Sequence, residues 1–135
     1  MTLRVLVVED DDAVREVVEW ALADAGHQTI GALDGQDALR LAMVDRPDVV
    51  VLDLELPVMS GPEFVASWRE QVGANTAPIV VISARPDVRE VARRLNARAA
   101  FAKPFDLDAL VAAVAQDQQP EAAPPPRQAT GSAPG

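Results

Sequence analysis

Two hydrophobic periods alternate along the first 117 residues of the chain. Leu3 to Val8 (broken only by Arg4), Val49 to Leu52 and Ile79 to Ile82 are apolar runs dominated by valine and isoleucine, which predicts strands buried on both faces. Weaker strands fit Gln28 to Leu33 and Ala99 to Ala102. Between them the apolar positions recur at helical spacing: Val14, Val17, Val18, Ala21, Leu22 and Ala25; Ala38, Leu41 and Ala42; Phe64, Val65, Trp68 and Val72. Two further stripes are Val88, Val91, Ala92 and Leu95, and Leu107, Leu110, Val111 and Val114. Punctuation agrees: Asp12 is expected to cap the first helix, Gly26 to end it and Asp106 to cap the last, while Pro47, Pro78 and Pro86 fall at element boundaries.

Five βα units in so short a span are too few for an eight-fold barrel. With right-handed crossovers they predict an α/β fold, a doubly wound, five-stranded parallel sheet with helices on both faces. The expected domain is residues 1–117. After Asp117 the pattern stops: residues 118–135 contain no large hydrophobe and five of the eleven prolines, so this Pro/Ala-rich stretch is expected to be a disordered tail or linker.

Composition narrows the chemistry. The chain has no cysteine, which removes thiolate nucleophiles and Cys-based metal sites, and His27 is its only histidine, which leaves no material for a Ser-His-Asp triad. His27 and Trp68 are read as structural, Trp68 as core. No apolar run approaches the roughly 20 residues that span a bilayer, and no secretory leader pattern opens the chain, so the expected location is the cytoplasm, with no membrane partner. The net charge of −9 argues against direct binding of nucleic acid. Glu121 and Arg127 cancel within the tail, so the whole excess belongs to residues 1–117. Among twelve basic residues Lys103 is the only lysine.

Ligands of open α/β sheets bind beyond the carboxyl ends of the strands. The residues there are Glu9 and Asp10 after the first strand, Asp53 ending the third, Ser83 after the fourth and Lys103, followed by Pro104, after the fifth. Like charges about 4 Å apart repel by about 4 kcal/mol at an effective dielectric near 20. Several acids on one rim therefore call for a cation. Hard oxygen donors suit Mg²⁺ best, with Mn²⁺ or Ca²⁺ as substitutes, and Lys103 adds a compact positive charge. Residue types alone leave open whether Glu9 with Asp10, or Asp10 with Asp11, forms the acidic pair.

The stretches LRVLVVEDDDAVR, VVVLDLELPVMSG, IVVISA and AFAKPF, with their spacing, resemble the receiver domains of bacterial two-component response regulators over about residues 3–117. The resemblance implies a flavodoxin-like (βα)5 fold with strand order 2-1-3-4-5, and a Mg²⁺-dependent switch in which Asp53 accepts a phosphoryl group from a sensor histidine kinase or histidine phosphotransfer protein. Carried over position by position, Asp10, Asp53 and the Glu55 backbone carbonyl would hold Mg²⁺, Glu9 would act through water, and Ser83 and Lys103 would bind the phosphoryl oxygens. The Lys103–Pro104 bond is expected to be cis. Glu55 and Arg85 are expected to pair across the site mouth and slow hydrolysis. The output would be a changed contact with a downstream protein target or a phosphorylation-dependent homodimer, through the fourth and fifth helices and the strand between them. Such a chain is a phosphoacceptor and not a turnover enzyme. One position departs from the family: three residues before the lysine, where it often carries a mobile aromatic ring, stands Ala100, with Phe101 beside it.

Two other readings use the same residues. Haloacid-dehalogenase-like phosphatases also combine a strand-end Asp with Ser/Thr, Lys and Mg²⁺, but place that Asp after the first strand, with further acids later in the chain. A degenerate receiver acting only as a binding module would keep the fold and lose key site residues, yet here every one is filled.

Overall fold

The structure is a computed structural model that describes residues 2–73 and 76–116. The expected tail at 118–135 lies outside the described residues. Ten elements alternate strictly: β1 (Arg4–Val8), α1 (Asp12–Asp24), β2 (Gln28–Ala32), α2 (Gly35–Val44), β3 (Val49–Asp53), α3 (Gly61–Val72), β4 (Ile79–Ser83), α4 (Val88–Arg94), β5 (Ala99–Ala102) and α5 (Leu107–Ala115). All strand pairs are parallel and the order is β2-β1-β3-β4-β5.

The unbroken apolar runs become the three central strands because each strand sends alternate residues to two separate cores. On one face Leu6, Val8, Val50, Leu52, Ile79 and Val81 pack with α2, α3 and α4, where Phe64 and Trp68 stack at 5.4 Å between ring centroids. On the other, Val5, Val7, Val49, Val51, Val80 and Ile82 pack with Val18 and Leu22 of α1 and Leu110 and Val114 of α5. Trp68 is buried as expected, whereas Trp20 lies exposed on α1. His27 is structural: its Nδ1 accepts the Leu3 N–H at 3.1 Å, tying the start of β2 to that of β1.

The first helix starts one residue earlier than expected. Asp11, not Asp12, is the N-cap; its carboxylate accepts the N–H groups of Ala13 and Val14 and Asp12 is the first helical residue. Three consecutive aspartates offer three caps, and the end of β1 at Val8 decides among them. Asp106 caps α5 as expected. At α3, Ser60 and Glu63 form a reciprocal capping box that fixes where the loop after β3 ends.

That loop is held tightly against the end of β3. The Gly61 N–H donates to the Leu54 carbonyl at 3.1 Å. A Cβ at Gly61 would lie 2.7 Å from the Asp53 carbonyl oxygen and 2.9 Å from the Leu54 Cα, both backbone atoms that cannot swing aside. Gly61→Ala should therefore destabilise the domain by about 1–3 kcal/mol in urea denaturation, with Trp68→Ala costing about 3–5 kcal/mol. A Gly61→Ala protein as stable as wild type would show that the approach of α3 to β3 is looser than described.

Candidate phosphoryl and metal site

The parallel sheet brings the carboxyl ends of four strands to one rim. Asp53 is the last residue of β3 and pairs in register with Ile82, so Ser83 lies one step further along β4. Glu9 and Asp10 follow β1, the neighbour of β3 on the other side, and Lys103 follows β5. Carboxylate oxygens of Glu9, Asp10 and Asp53 all lie within 4.8 Å of one another. Glu9 and Asp53 are buried and Asp10 is exposed. Asp11 is committed to capping α1, which decides the open choice in favour of Glu9 with Asp10.

Lys103 closes the cluster. Its Nζ donates to Glu9 Oε1 at 2.7 Å and to Asp53 Oδ2 at 3.3 Å. The other oxygens are held by backbone: Glu9 Oε2 accepts the Asp11 N–H at 3.1 Å and Asp53 Oδ1 accepts the Glu55 N–H at 3.1 Å. The expected cis bond at Lys103–Pro104 is present. Burial raises the Glu9 carboxyl above the usual carboxylate range; the hydrogen bonds from Lys103 and Asp11 oppose the rise and the charge of Asp53 adds to it. For Lys103, burial works against the ammonium, but the hydrogen bond to Glu9 and the charge of Asp53 outweigh it and push its pKa up. Three carboxylates thus face one ammonium, and ionised they leave two negative charges uncompensated. An all-oxygen donor set with that deficit fits a hard divalent cation.

Ser83 is fully buried, and its Oγ accepts the Arg85 N–H at 3.0 Å. The expected pairing of Arg85 with Glu55 is not formed. Arg85 instead grips Asp87 through Nε at 2.9 Å and Nη2 at 2.8 Å, and the Glu55 carboxylate only acts on it through space. Geometry explains the correction: Asp87 lies two residues away in the same turn and offers both oxygens to the guanidinium fork, while Glu55 belongs to a different loop. Arg85 in turn holds the Asp87 carboxyl below its usual value. Ala100 packs into the core facing α2 to α4, whereas Phe101 faces the opposite core and meets Phe105 at 6.5 Å. The ring beside Ala100 is therefore on the wrong face of β5 to replace the one the family often carries.

The family profile of the response regulator receiver domain matches residues 5–115. The chain belongs to that family. This receiver is 41% identical over 114 residues to response regulator MprA of Mycolicibacterium vanbaalenii, covering 83% of the chain and 48% of that protein. It is 42% identical over 113 residues to the transcriptional regulatory protein PrrA of Mycobacterium tuberculosis, covering 82% and 48%. The receiver thus spans about half the length of the curated relatives it matches. Among solved structures, chemotaxis protein CheY4 of Vibrio cholerae superposes with a TM-score of 0.76 at 31% identity, covering 86% of this chain and 98% of that one. The receiver domain of Francisella response regulator 1452 gives 0.77 at 26%, covering 87% and 99%. Membership disposes of the phosphatase reading, and the topology agrees: the paired acids follow β1 and the candidate nucleophile ends β3. Among the described residues no helix is long and apolar enough to cross a membrane.

The acidic deficit has a pH signature in the cation-free protein. Because the folded pKa of Glu9 is raised, its contribution to stability is full below the unfolded value of about 4.5 and is lost as pH rises through the folded one. Lys103 stays charged across this range. In chelator, wild type should therefore lose stability relative to Glu9→Gln as pH rises above the unfolded value, measured by urea denaturation. A gap that is flat or moves the other way would contradict the assignment.

Proposed function

We propose that this receiver takes a phosphoryl group from a sensor histidine kinase or histidine phosphotransfer protein onto Asp53, and that the acyl phosphate switches contact with a downstream protein target. The observation that carries the reading is the fixed posture of the Asp53 carboxylate, with one oxygen on the Glu55 N–H and the other on Lys103. An Asp53 oxygen attacks phosphorus, the P–N bond of the phosphohistidine breaks, and its electron pair returns to the imidazole, which takes up a proton. Lys103 is placed to follow charge from the Asp53 carboxylate to the incoming phosphoryl oxygens, and Ser83 supplies a buried hydroxyl one step along β4. Mg²⁺, or Mn²⁺ in its place, would be held by Asp10, Asp53 and the Glu55 carbonyl with Glu9 acting through water, and would neutralise charge on the transferring group. The protein is a phosphoacceptor in this scheme, not a turnover enzyme, and works in the cytoplasm. A complete set of site residues favours this reading over a degenerate binding module.

Incubation with acetyl phosphate and Mg²⁺ should yield one acid-stable, base-labile phosphoryl group per chain. It should be absent in Asp53→Asn or in chelator. Lys103→Arg keeps the charge but replaces a point donor by a planar fork, and should block switching. Phosphorylation that persists in Asp53→Asn, or an unmodified wild type, would overturn the proposal.

A further inference from the structure

Arg15 is an arginine on the first turns of α1 that none of the site chemistry above uses. Its side chain is only 14% exposed. Nη1 donates to the Glu9 backbone carbonyl at 2.9 Å and Nη2 to Asp12 Oδ1 at 2.6 Å. To reach them its stem passes β2 at Gly31, where a Cβ would lie 2.6 Å from the flexible carboxylate end of Glu19 (Oε2), 3.0 Å from Arg15 Cδ and 3.3 Å from Nε. The glycine leaves the corridor open.

Glu9 is consequently fixed at every polar group. Its N–H donates to the Ala32 carbonyl at 3.0 Å, its carbonyl accepts from Arg15, and its carboxylate accepts from Lys103 and the Asp11 N–H. Asp10 is exposed and its side chain takes no hydrogen bond within the described residues, so backbone alone places it. Arg15 holds the carbonyl before Asp10, and the Glu9 carboxylate holds the N–H after it. We propose that Arg15 is a positioning residue that fixes the Glu9–Asp10 turn in the conformation a divalent cation requires. The inference rests on reading the acidic cluster as a cation site.

Charge and position predict opposite signs. A guanidinium near a cation site repels the cation, so if Arg15 were only a charge its removal would tighten binding. If it sets the turn, its removal weakens binding by about 10- to 100-fold, as for other groups that orient ligands. The full chain, stripped of metal, is titrated with Mg²⁺ and the amide shifts of Asp11 and Leu54 are followed by NMR, with urea denaturation in chelator reporting folding separately. Arg15→Gln and Arg15→Lys should each raise the Mg²⁺ Kd at least about tenfold, since lysine keeps the charge but cannot span both acceptors. Gly31→Ala should raise Kd by less, and by nothing further in the Arg15→Gln background. If Arg15→Gln does not fold, Arg15→Lys and Gly31→Ala carry the same comparison. An unchanged or lower Kd in these variants overturns the positioning role while leaving the cation site intact. A wild type that does not bind Mg²⁺ overturns the cation reading, and this inference with it.

Discussion

One ammonium bridging two buried carboxylates is the contact on which this site depends. Lys103 touches both Glu9 and Asp53, residues 94 and 50 positions away in the chain, and so joins the ends of β1, β3 and β5. Without it a fully buried glutamate would face a buried aspartate with only backbone N–H groups for company. Buried charge is costly unless paired, and here pairing is incomplete by design of the donor set. The rim is therefore the least comfortable part of a domain whose interior is otherwise aliphatic and aromatic.

The remaining architecture makes that discomfort tolerable. Three central strands buried on both faces form a closely packed floor between two layers of helices. The capping box at Ser60 and Glu63 and the close approach at Gly61 fix the loop after Asp53; Asp11 and Arg15 fix the turn after Glu9. The two turns that flank the acidic cluster are thereby held by the fold itself.

Much of this was readable from sequence because parallel strands and strand-end residues leave strong local marks. Apolar runs such as Val49 to Leu52 end at Asp53 with no ambiguity, and the sole lysine stands out by composition. The strand order came from family resemblance, since periodicity says nothing of which strand neighbours which. What escaped were choices among equivalent partners. Asp11 and Asp12 cap equally well in principle, and only the end of β1 selects between them. Arg85 had an acid within reach on two loops, and proximity in the same turn favoured Asp87 over Glu55. Arg15 carried no signal at all: its role depends on a carbonyl and on a missing Cβ at Gly31, and neither shows in a pattern of residue types.

Charge compensation by Lys103 is the central claim, and Lys103→Met tests it most directly. The substitution keeps most of the side chain's length and removes only the ammonium. In chelator at neutral pH it should cost about 3–5 kcal/mol in urea denaturation, the usual penalty for leaving a buried charge without its partner, and adding Glu9→Gln should restore most of the loss. A Lys103→Met protein as stable as wild type, or a loss that Glu9→Gln does not repair, would show that the bridge is not what holds the acids together.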